Sequence, residues 1–477
     1  MKKVSLKVFI VAIQLLFIQS IYAEVTLPAL VSSNMVLQRN ATVTIWGWAD
    51  ANENIQIDAS WLKEPRQLMA DDDGNWRIEV NTTLSKEPQT IHIKSKTSDI
   101  LLENVAFGEV WLCSGQSNME QPVKGFYGQP TFGSLMAISK SHNPNLRLFS
   151  VNKVASKTPL NNVEKYVGWQ QASPENVAGF SAVGYFFGQQ LQEILDVPVG
   201  IIHSSWGGSS IQAWMSYEKL NAFQEVDLKD VDISKRTVHI PTALFNSMIN
   251  PLTLYAIKGV LWYQGESNRN DPALYKKLFP AMVEDWRERW GIGNMPFYFV
   301  QIAPFLYNNN QASQSVDNSA FMREAQLKCV DLIPNSGIAI TLDIGDEHEI
   351  HPPEKKEVAN RLLFNALNQT YGFKDVEYAS PVYYSQEVKE GGLLLKFRNA
   401  ETGLFSYNGL EGFEIAGEDR VFYPAQAKIV NRSEIHVING DVADPVAVRY
   451  AWRNWTNGSL YGGNLLPVSS FRTDDWE

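Results

Sequence analysis

The sequence contains few cysteines and no repeated or low-complexity segment. Its 477 residues include two cysteines, Cys113 and Cys329, which are too few for a disulfide framework. Cys113 stands in the apolar run VWLC, where a buried free thiol is the common arrangement. With 44% hydrophobic residues, the chain is globular and long enough for two or three domains. These features exclude a small disulfide-rich scaffold and a disordered chain.

Positively charged residues are also scarce. The 41 lysines and arginines are outnumbered by 52 aspartates and glutamates, so the formal net charge is -11 at pH 7. A surface that binds the phosphate backbone of a nucleic acid needs an excess of clustered cations. We therefore expect no nucleic acid among the partners of this protein.

Long hydrophobic runs are absent except at the N-terminus. Residues 1–23 combine the basic sequence MKK, an apolar run from Val8 to Ile18, and the small residue Ala23 before the expected cleavage point. That three-part pattern is typical of an export signal peptide, and the run is well short of the roughly 20 residues that span a bilayer. We expect a mature protein that has no membrane-spanning segment and is periplasmic or secreted.

The rest of the chain divides into three regions by pattern. Residues 24–104 show short alternating strands separated by turn residues, which predicts a small, β-sandwich-like antiparallel domain. In residues 105–373, apolar strand runs alternate with helical patterns, which predicts an α/β domain with a doubly wound, mostly parallel sheet. Short strands and turns return in residues 374–477. The expected fold is thus an α/β domain between two flanking antiparallel β regions.

Two helices are marked by their terminal residues. The dipeptide Asp271-Pro272 is typical of an N-cap and a first turn, and it predicts a helix that is kinked or divided at Pro280 and ends at Gly291. The sequence PPE at residues 352–354 predicts the start of a second helix, which closes at Gly372.

Four predicted strands end in polar or glycine-rich residues. The sequences at these ends are GQSNM, SSWGGSSIQAW, YQGESN and DIGDEHEIHP. In an open parallel sheet, ligands bind at the carboxyl ends of the strands, so these segments should converge. Ser117, at the first end, is a candidate nucleophile for acyl transfer. Candidate donors to the oxyanion are the backbone N–H groups of Ser117 and of Gly207 or Gly208, with a side-chain amide from Asn268 or Gln264.

A general base is expected among the seven histidines. His348 and His351 remain once the histidines of predicted strands and loops are set aside, and His351 directly precedes a proline-initiated helix, where its side chain can face the sheet edge. A metal site built from these two with Asp343 and Asp346 is an alternative, but it lacks the HExxH spacing and a second ligand cluster. It also leaves Ser117 unexplained, so no metal is expected.

Other residues near these strand ends could contact a substrate. Gln116 precedes Ser117 and can form hydrogen bonds, Trp206 can stack on a sugar ring or form the pocket wall, and Glu266 can bind substrate or hold its own loop together. If such residues bound sugar without catalysis, the protein would be a carbohydrate-binding module. Loss of activity in Ser117→Ala with retained sugar binding distinguishes an esterase from that module.

Five long motifs occur in a characteristic order: GEVWLCSGQSNME, VGIIHSSWGGSSIQAWMS, GVLWYQGESN, FYFVQIAPF and DIGDEHEIHPPEKKEVANRL. Together they resemble the sialate O-acetylesterase family of SGNH-type serine esterases, and the resemblance covers nearly the whole chain. It implies an SGNH-hydrolase-like fold and a carboxylic ester hydrolase that requires no cofactor. By this resemblance, Ser117 is the nucleophile, Gly208 and Asn268 support the oxyanion hole, and His351 is the base.

One position departs from the wider superfamily. His348 stands three residues before the base, where an acid is common, so the group that orients His351 is left open between Glu349, which we favour, and a backbone carbonyl. The implied substrate is 9-O-acetylated sialic acid, although acetylated xylan or pectin suits the same machinery. A sialic acid pocket should offer a cation to the substrate carboxylate. The candidates are Lys124, Arg236, Arg269 and Arg323.

Overall fold

The computed structural model describes residues 24–228, 238–307 and 318–476. The export signal expected at residues 1–23 and the candidate cation Arg236 lie outside these ranges. Within them, no helix combines the length and the apolar character that crossing a membrane requires.

The N-terminal region is built from short strands. They are β1 (Val36–Gln38), β2 (Thr42–Trp48), β3 (Asn54–Ala59), β4 (Arg66–Met69), β5 (Asn75–Asn81) and β6 (Gln89–Lys94). β2 pairs with β5, and β3 pairs with β4 and β6, all in antiparallel register. Buried and exposed residues alternate along much of β3 and β5, because one face of each strand packs on the core.

One long strand, β7 (Asp99–Gly115), belongs to both the N-terminal region and the central sheet. Its first half pairs antiparallel with β6, where Lys94 lies opposite Asp99. Its second half is buried and pairs in parallel with strands of the central sheet. The expected boundary at residues 104–105 therefore falls inside a continuous strand, and the N-terminal region is joined to the central sheet by backbone hydrogen bonds as well as by side-chain packing.

The central sheet contains six further strands. They are β8 (Asn143–Val151), β9 (Tyr166–Ala172), β10 (Val199–Ser205), β11 (Gly259–Tyr263), β12 (Phe297–Val300) and β13 (Ser336–Ala339). The strand order is β13-β12-β11-β7-β10-β8-β9, and all neighbours are parallel except β8 and β9. The chain first builds one side of β7 and then the other, so the strand order reverses at β7. The predicted doubly wound sheet is confirmed, and the carboxyl end of β7 is its switch point.

Helices cover both faces of this sheet. They are α1 (Ser117–Glu120), α2 (Ser134–Ser139), α3 (Pro174–Ala178), α4 (Ala182–Leu195), α5 (Tyr217–Leu220), α6 (Pro272–Trp290), α7 (Ala320–Leu332) and α8 (Lys355–Asn365). α4 packs against α8, and α6 packs against α7. The side chain of Asp271 caps α6 by accepting the N–H of Leu274, and Pro280 lies inside α6 without dividing it. α8 begins directly after the predicted PPE start and continues as a π-helical turn, Ala366–Thr370.

The C-terminal region is again made of short strands. They are β14 (Val382–Lys389), β15 (Gly392–Arg398), β16 (Leu404–Phe405), β17 (Phe413–Ala416), β18 (Tyr423–Pro424), β19 (Gln426–Asn431), β20 (Glu434–Ile438), β21 (Ala447–Tyr450), β22 (Tyr461–Gly462) and β23 (Phe471–Arg472). Two antiparallel sheets, β14-β15-β20-β19 and β18-β17-β21-β23, enclose its core. Ile340 and Leu342, which follow β13, lie in the same core and join this region to the central sheet.

Candidate active site

The turn that carries Ser117 requires a glycine. Gly115, the last residue of β7, has φ +138°, and a Cβ on it would lie 2.2 Å from the carbonyl oxygen of Tyr263 in β11. The N–H of Gln116 then donates to that same carbonyl at 3.0 Å. The chain turns directly into α1, so half-buried Ser117 lies at the N-terminus of a helix at the carboxyl edge of the sheet.

The loop after β10 packs against this turn. A Cβ on Gly207 would lie 3.2 Å from the Cβ of Ser117, so a side chain there would crowd the candidate nucleophile. The N–H of Gly207 donates to Oε2 of Glu120 at 2.7 Å, and Oε1 of Glu120 accepts from Lys153. Among the residues described, the N–H groups of Ser117 and Gly208 donate to no protein acceptor. Those two groups are therefore available to a substrate oxygen, whereas the N–H of Gly207 is not.

Asn268, in the loop that follows β11, has one side-chain N–H that donates to none of the described residues. Its Oδ1 accepts the N–H of Ile211 at 2.9 Å and the Nε2–H of Gln264 at 2.8 Å, and its Nδ2 donates to Oε1 of Gln212 at 3.0 Å. These contacts fix which end of the amide is nitrogen, and within the described part of the chain they leave one Nδ2 hydrogen without an acceptor. Gln264 is fully buried, and its other hydrogen goes to the carbonyl of Ser209, so both of its side-chain donors are already used.

His351 is held by two acceptors on its Nδ1 side. Its Nδ1 lies 2.9 Å from Oε1 of Gln129 and 3.5 Å from Oε1 of Glu349, and its backbone N–H also donates to that Glu349 oxygen at 3.0 Å. The ring of Phe126 contacts the His351 ring edge-on, with centroids 5.4 Å apart. The carboxylate of Glu349 can only accept, and the carboxamide oxygen of Gln129 accepts as well, so with these two neighbours Nδ1 carries the proton and the lone pair is on Nε2.

The pKa of His351 is lowered to about 4, first by burial and then by the positive charge of Lys355, while Glu120 acts in the opposite direction. His351 is therefore neutral over the ordinary pH range. A neutral imidazole with a free Nε2 can accept a proton, which is what a general base must do.

Asn118 joins the segments that carry Ser117 and His351. Its Nδ2 donates to the carbonyl of Ile350 at 3.1 Å and to Oε1 of Glu266 at 2.6 Å, and its Oδ1 accepts from Nζ of Lys355 at 2.5 Å. Glu266, Asn118 and Lys355 are all buried. Burial lowers the pKa of Lys355 to about 7 and raises the pKa of Glu266. Glu266 thus lies under the site and contacts Asn118.

Gln116 connects β7 to the loop after β11. Its side-chain oxygen accepts the N–H groups of Gly265 and Ser267, both at 3.3 Å, and the side chain is buried. Trp206 also lies beside the turn, since its backbone N–H donates to the carbonyl of Gly115 at 3.0 Å, and its side chain is mostly buried. These contacts place Gln116 and Trp206 in the wall that supports the Ser117 turn.

The alternative metal site is not assembled. Asp343 forms a two-point ion pair with Arg361 at 2.7 and 2.8 Å, and the carboxylate of Asp346 accepts the backbone N–H groups of His348 and Glu349. Across the described ranges, no group of three or more His, Cys, Asp or Glu side chains is placed to hold a metal ion.

The candidate cations differ in how far their charge is available to a substrate carboxylate. Arg323 is fully buried and donates to Ser319, Ser470 and two backbone carbonyls. Arg269 is half-buried beside Asn268, with its guanidinium 4.4 Å from the centre of the Tyr307 ring, and its Nε has no hydrogen-bond partner in the part of the chain described. Lys124 is exposed on the loop after α1. Of these three, Arg269 is the cation closest in sequence to the oxyanion residues.

Two residues of this site had no sequence signal. Gln129 lies in the segment GFYGQP, and nothing in that pattern marks its contact with a histidine more than two hundred residues later. Lys355 is one of the consecutive lysines in PPEKKEV, which would ordinarily be read as the solvated face of a helix.

Comparison with known proteins gives a consistent result. A family model described as carbohydrate esterase, sialic acid-specific acetylesterase, matches residues 107–362. That range includes every site residue discussed above.

Curated relatives match over most of the chain. The sialate O-acetylesterase of Homo sapiens is 29% identical, with 89% of this chain and 87% of that protein covered, and the enzyme of the same name from Mus musculus is 27% identical, with 89% of both covered. Among solved structures, a carbohydrate acetylesterase from Xanthomonas citri superposes with a TM-score of 0.87 at 34% identity, covering 95% of this chain and all of that one.

Proposed function

Because this chain belongs to the sialic acid-specific acetylesterase family of carbohydrate esterases, we propose that it removes O-acetyl groups from acetylated sugars by a serine–histidine acyl-enzyme mechanism. One observation carries the proposal. Ser117 follows β7 at the carboxyl edge of the sheet, its own N–H, that of Gly208 and one Nδ2 hydrogen of Asn268 have no acceptor among the described residues, and a hydrogen bond joins its neighbour Asn118 to the residue before His351.

The first half-reaction uses the groups at this edge. Oγ of Ser117 attacks the acetyl carbonyl carbon while Nε2 of His351 takes the hydroxyl proton. The negative charge that develops on the carbonyl oxygen is stabilised by the N–H groups of Ser117 and Gly208 and by the free Nδ2 hydrogen of Asn268. The imidazolium then gives its proton to the sugar oxygen as the carbon–oxygen bond breaks, and Ser117 retains the acetyl group.

The second half-reaction repeats these steps with water. Nε2 of His351 takes a proton from a water molecule, which attacks the acetyl-serine carbonyl at the same oxyanion site. The tetrahedral intermediate collapses, acetate leaves, and the proton returns to Oγ of Ser117. Every step uses groups of the chain itself, and the mechanism calls for no cofactor.

Four further residues position these groups. We assign Gln129 as the main acceptor for Nδ1 of His351, since it is 2.9 Å away, and Glu349 as a second acceptor that also holds the His351 backbone. Gln264 orients the amide of Asn268. Glu266 orients Asn118 beside the nucleophile rather than contacting the sugar, because its bonded oxygen is directed to Asn118 and the side chain is buried.

The proposed substrate is 9-O-acetylated sialic acid. The human and mouse relatives are named for sialate, and Arg269, which directly follows Asn268 in the chain, offers a half-buried guanidinium for the carboxylate of such a sugar. An acetylxylan or pectin-type acetylesterase is the second candidate. It is favoured by the Xanthomonas relative, which has the higher identity of 34% and carries the broader name carbohydrate acetylesterase.

We also propose that the protein is exported through the signal pattern of residues 1–23 and acts in the periplasm or outside the cell. The test is to express the full chain in a bacterial host and to sequence the N-terminus of the recovered protein. A mature protein that begins at Glu24 in the periplasm or medium is expected, and an uncleaved protein in the cytoplasm would contradict the proposal.

The decisive experiment measures acetate release from 9-O-acetylated sialic acid and, in parallel, from acetylated xylan. Ser117→Ala should abolish release while keeping the thermal midpoint of the wild type, and Ser139→Ala, an exposed serine on α2, should change neither. Arg269→Gln should raise KM for the sialic acid ester more than for xylan. Activity on xylan alone would refute sialic acid as the substrate and leave the mechanism unchanged. Hydrolysis that survives in Ser117→Ala would refute the mechanism.

A further inference from the structure

A tight turn at residues 126–129 contacts His351. The N–H of Phe126 donates to the carbonyl of Gln129 at 2.9 Å, and the N–H of Gln129 donates back to the carbonyl of Phe126 at 3.1 Å, so Tyr127 and Gly128 form the tip of a two-residue hairpin. Both residues at the base of this hairpin contact His351, one through its ring and the other through its side-chain oxygen. The position of the tip is therefore tied to the position of the catalytic histidine.

The side chain of Tyr127 is fully exposed. Its exposed fraction is the largest among the large apolar side chains that the structure describes, and within the described ranges it has no ring contact and no hydrogen bond. An isolated exposed side chain needs no explanation, but this one continues an exposed apolar series along the same segment. The other members are Phe132, Leu135 and Met136.

The location of Tyr127 relates this surface to the substrate. Consecutive Cα atoms are about 3.8 Å apart, and the neighbour of Tyr127, Phe126, contacts the His351 ring. A substrate whose ester carbonyl lies at Ser117 must pass its leaving group close to Nε2 of His351, which protonates that group. The sugar part of the substrate therefore lies near the Nε2 edge of His351, and only the imidazole ring separates it from Phe126 and Gln129, the two residues at the base of the hairpin.

The chemistry of the segment suits an uncharged ring. From residue 125 to residue 136 it contains no Asp, Glu, Lys or Arg, and its polar groups are amide and hydroxyl groups. A pyranose has an apolar face of C–H bonds that packs on an aromatic ring, and hydroxyl groups around its edge that amides and hydroxyls can bind. A tyrosine provides this contact area at a low cost in conformational entropy, because it has two side-chain torsions.

We propose that Tyr127 is a sugar-stacking subsite at the entrance to the active site, where a pyranose ring of an acetylated glycan packs on the phenol ring. This inference rests on the proposed function and extends it from the acetyl group to the glycan. It predicts that the enzyme distinguishes sugar esters from simple esters through a residue that takes no part in bond making or breaking.

The test compares an acetylated xylo-oligosaccharide and 9-O-acetylated sialic acid with 4-nitrophenyl acetate, which has no sugar. For Tyr127→Ala, the ratio of kcat/KM for the better sugar ester to kcat/KM for 4-nitrophenyl acetate should fall about threefold to tenfold, mainly through KM, as expected from the loss of one aromatic contact. Tyr127→Trp should keep the ratio within about twofold of wild type, because it keeps the stacking surface. The matched control is Tyr384→Ala, a tyrosine that is 51% exposed on β14, and it should leave the ratio unchanged.

Two outcomes would overturn the subsite. An equal fall for sugar and aryl esters in Tyr127→Ala would show that the hairpin acts on His351 instead, and an unchanged ratio would show that the ring does not touch the sugar. If the wild type released no acetate from either sugar ester, the proposed function would fail separately. Calorimetric titration of Ser117→Ala and Ser117→Ala/Tyr127→Ala with deacetylated oligosaccharide would then test the stacking contact alone, and equal affinities would refute it.

Discussion

Two fully buried cations, Lys355 under the active site and Arg323 at the junction with the C-terminal region, are satisfied in different ways. Arg323 donates to the hydroxyl groups of Ser470 and Ser319 and to the carbonyls of Ala451 and Arg453. Nζ of Lys355 donates to one side-chain oxygen, that of Asn118, and lies 5.6 Å over the Tyr263 ring. Burial lowers the pKa of both groups, to about 9 for Arg323 and to about 7 for Lys355.

The two cations have different roles because they donate hydrogen bonds to different kinds of partner. Arg323 binds carbonyl and hydroxyl groups from segments far apart in the chain, so its bonds stabilise the packing of α7 against the C-terminal strands. Lys355 binds the side chain of Asn118, which adjoins Ser117 in the chain and donates to the residue before His351, and the positive charge of Lys355 lowers the pKa of His351. Substitutions at the catalytic edge should therefore change rates with little effect on stability, and substitutions at the Arg323 junction should do the reverse.

The largest expected effect is on the catalytic side of this comparison. His351→Ala should lower kcat by about 10⁴-fold or more, because it removes the proposed general base, while the thermal midpoint stays close to that of the wild type. In Ser117→Ala/His351→Ala the loss should be no greater than in the worse single variant, since the two residues act as a unit. The control is His348→Ala, whose side chain is 82% exposed. A loss as large in that control would contradict the assignment of the base.

Asn268→Ala should lower kcat by about 10²- to 10³-fold, which is the usual cost of removing one oxyanion donor. The effect should fall on kcat more than on KM, because the hydrogen bond strengthens as charge develops on the oxygen. Steady-state kinetics with 4-nitrophenyl acetate measure both constants. Asn270→Ala, an exposed amide two residues later, is the control. A change in KM alone would mean that Asn268 binds the substrate and not the transition state.

Arg323→Met tests the junction side of the comparison. It leaves buried carbonyl and hydroxyl groups without a donor, so the free energy of unfolding should fall by about 2–4 kcal/mol. The thermal midpoint should drop, and kcat measured well below that midpoint should match the wild type. Lys328→Met, on the exposed face of the same helix, should change neither quantity. A lower kcat in fully folded Arg323→Met would remove the proposed division between the two regions.

The two acceptors of His351 can be ranked by experiment. Gln129→Ala should lower kcat about tenfold, because Nδ1 loses its nearer acceptor and the tautomer that leaves Nε2 free is less favoured. Glu349→Gln should lower kcat by less than Gln129→Ala does. The Glu349 oxygen lies farther from Nδ1 than the Gln129 oxygen, and a glutamine can still accept the backbone N–H of His351. Gln129→Glu is the conservative variant and should retain most of the activity. A larger loss in Glu349→Gln than in Gln129→Ala would make Glu349 the main orienting group.

The smallest expected effect is on pH dependence. His351 must be neutral to accept a proton, so kcat/KM should be constant above its pKa and should fall as the pH drops through about 4. Lys355→Met removes a positive charge that lowers this pKa, so the acid limb should move upward by up to about one pH unit. Lys356→Met, the exposed neighbour, should leave the limb in place. If the acid limb of Lys355→Met lay at the same pH as in the wild type or at a lower pH, the charge of Lys355 would not lower the pKa of His351.

Much of the fold could be predicted from local patterns. The alternation of apolar runs and helical segments predicted the doubly wound sheet, and Asp271, Pro272 and Gly291 predicted the ends of α6. The continuity of β7 could not be read in this way, because its first half alternates and its second half is apolar, and those two patterns look like separate strands. The pairing of one strand with both sheets is a long-range property.

The candidate site was predictable in part for the same reason. The segments that hold Ser117, Gly208, Asn268 and His351 each follow a strand, and the general rule for parallel sheets predicted that they converge. The roles of Gln129 and Lys355 were beyond reach, because each depends on one contact between segments far apart in the chain. No periodicity marks such a contact.

The sequence by itself determined the class of fold, the order of the elements and the polar segments that end the strands, because propensity and hydrophobic period act over a few neighbouring residues. Only the tertiary structure decided which side chains meet. Packing of α8 on the sheet places Lys355 under Asn118, and the turn at residues 126–129 places an amide against His351 and an exposed tyrosine beside it. These contacts depend on distances set by the whole sheet, which local preference does not encode.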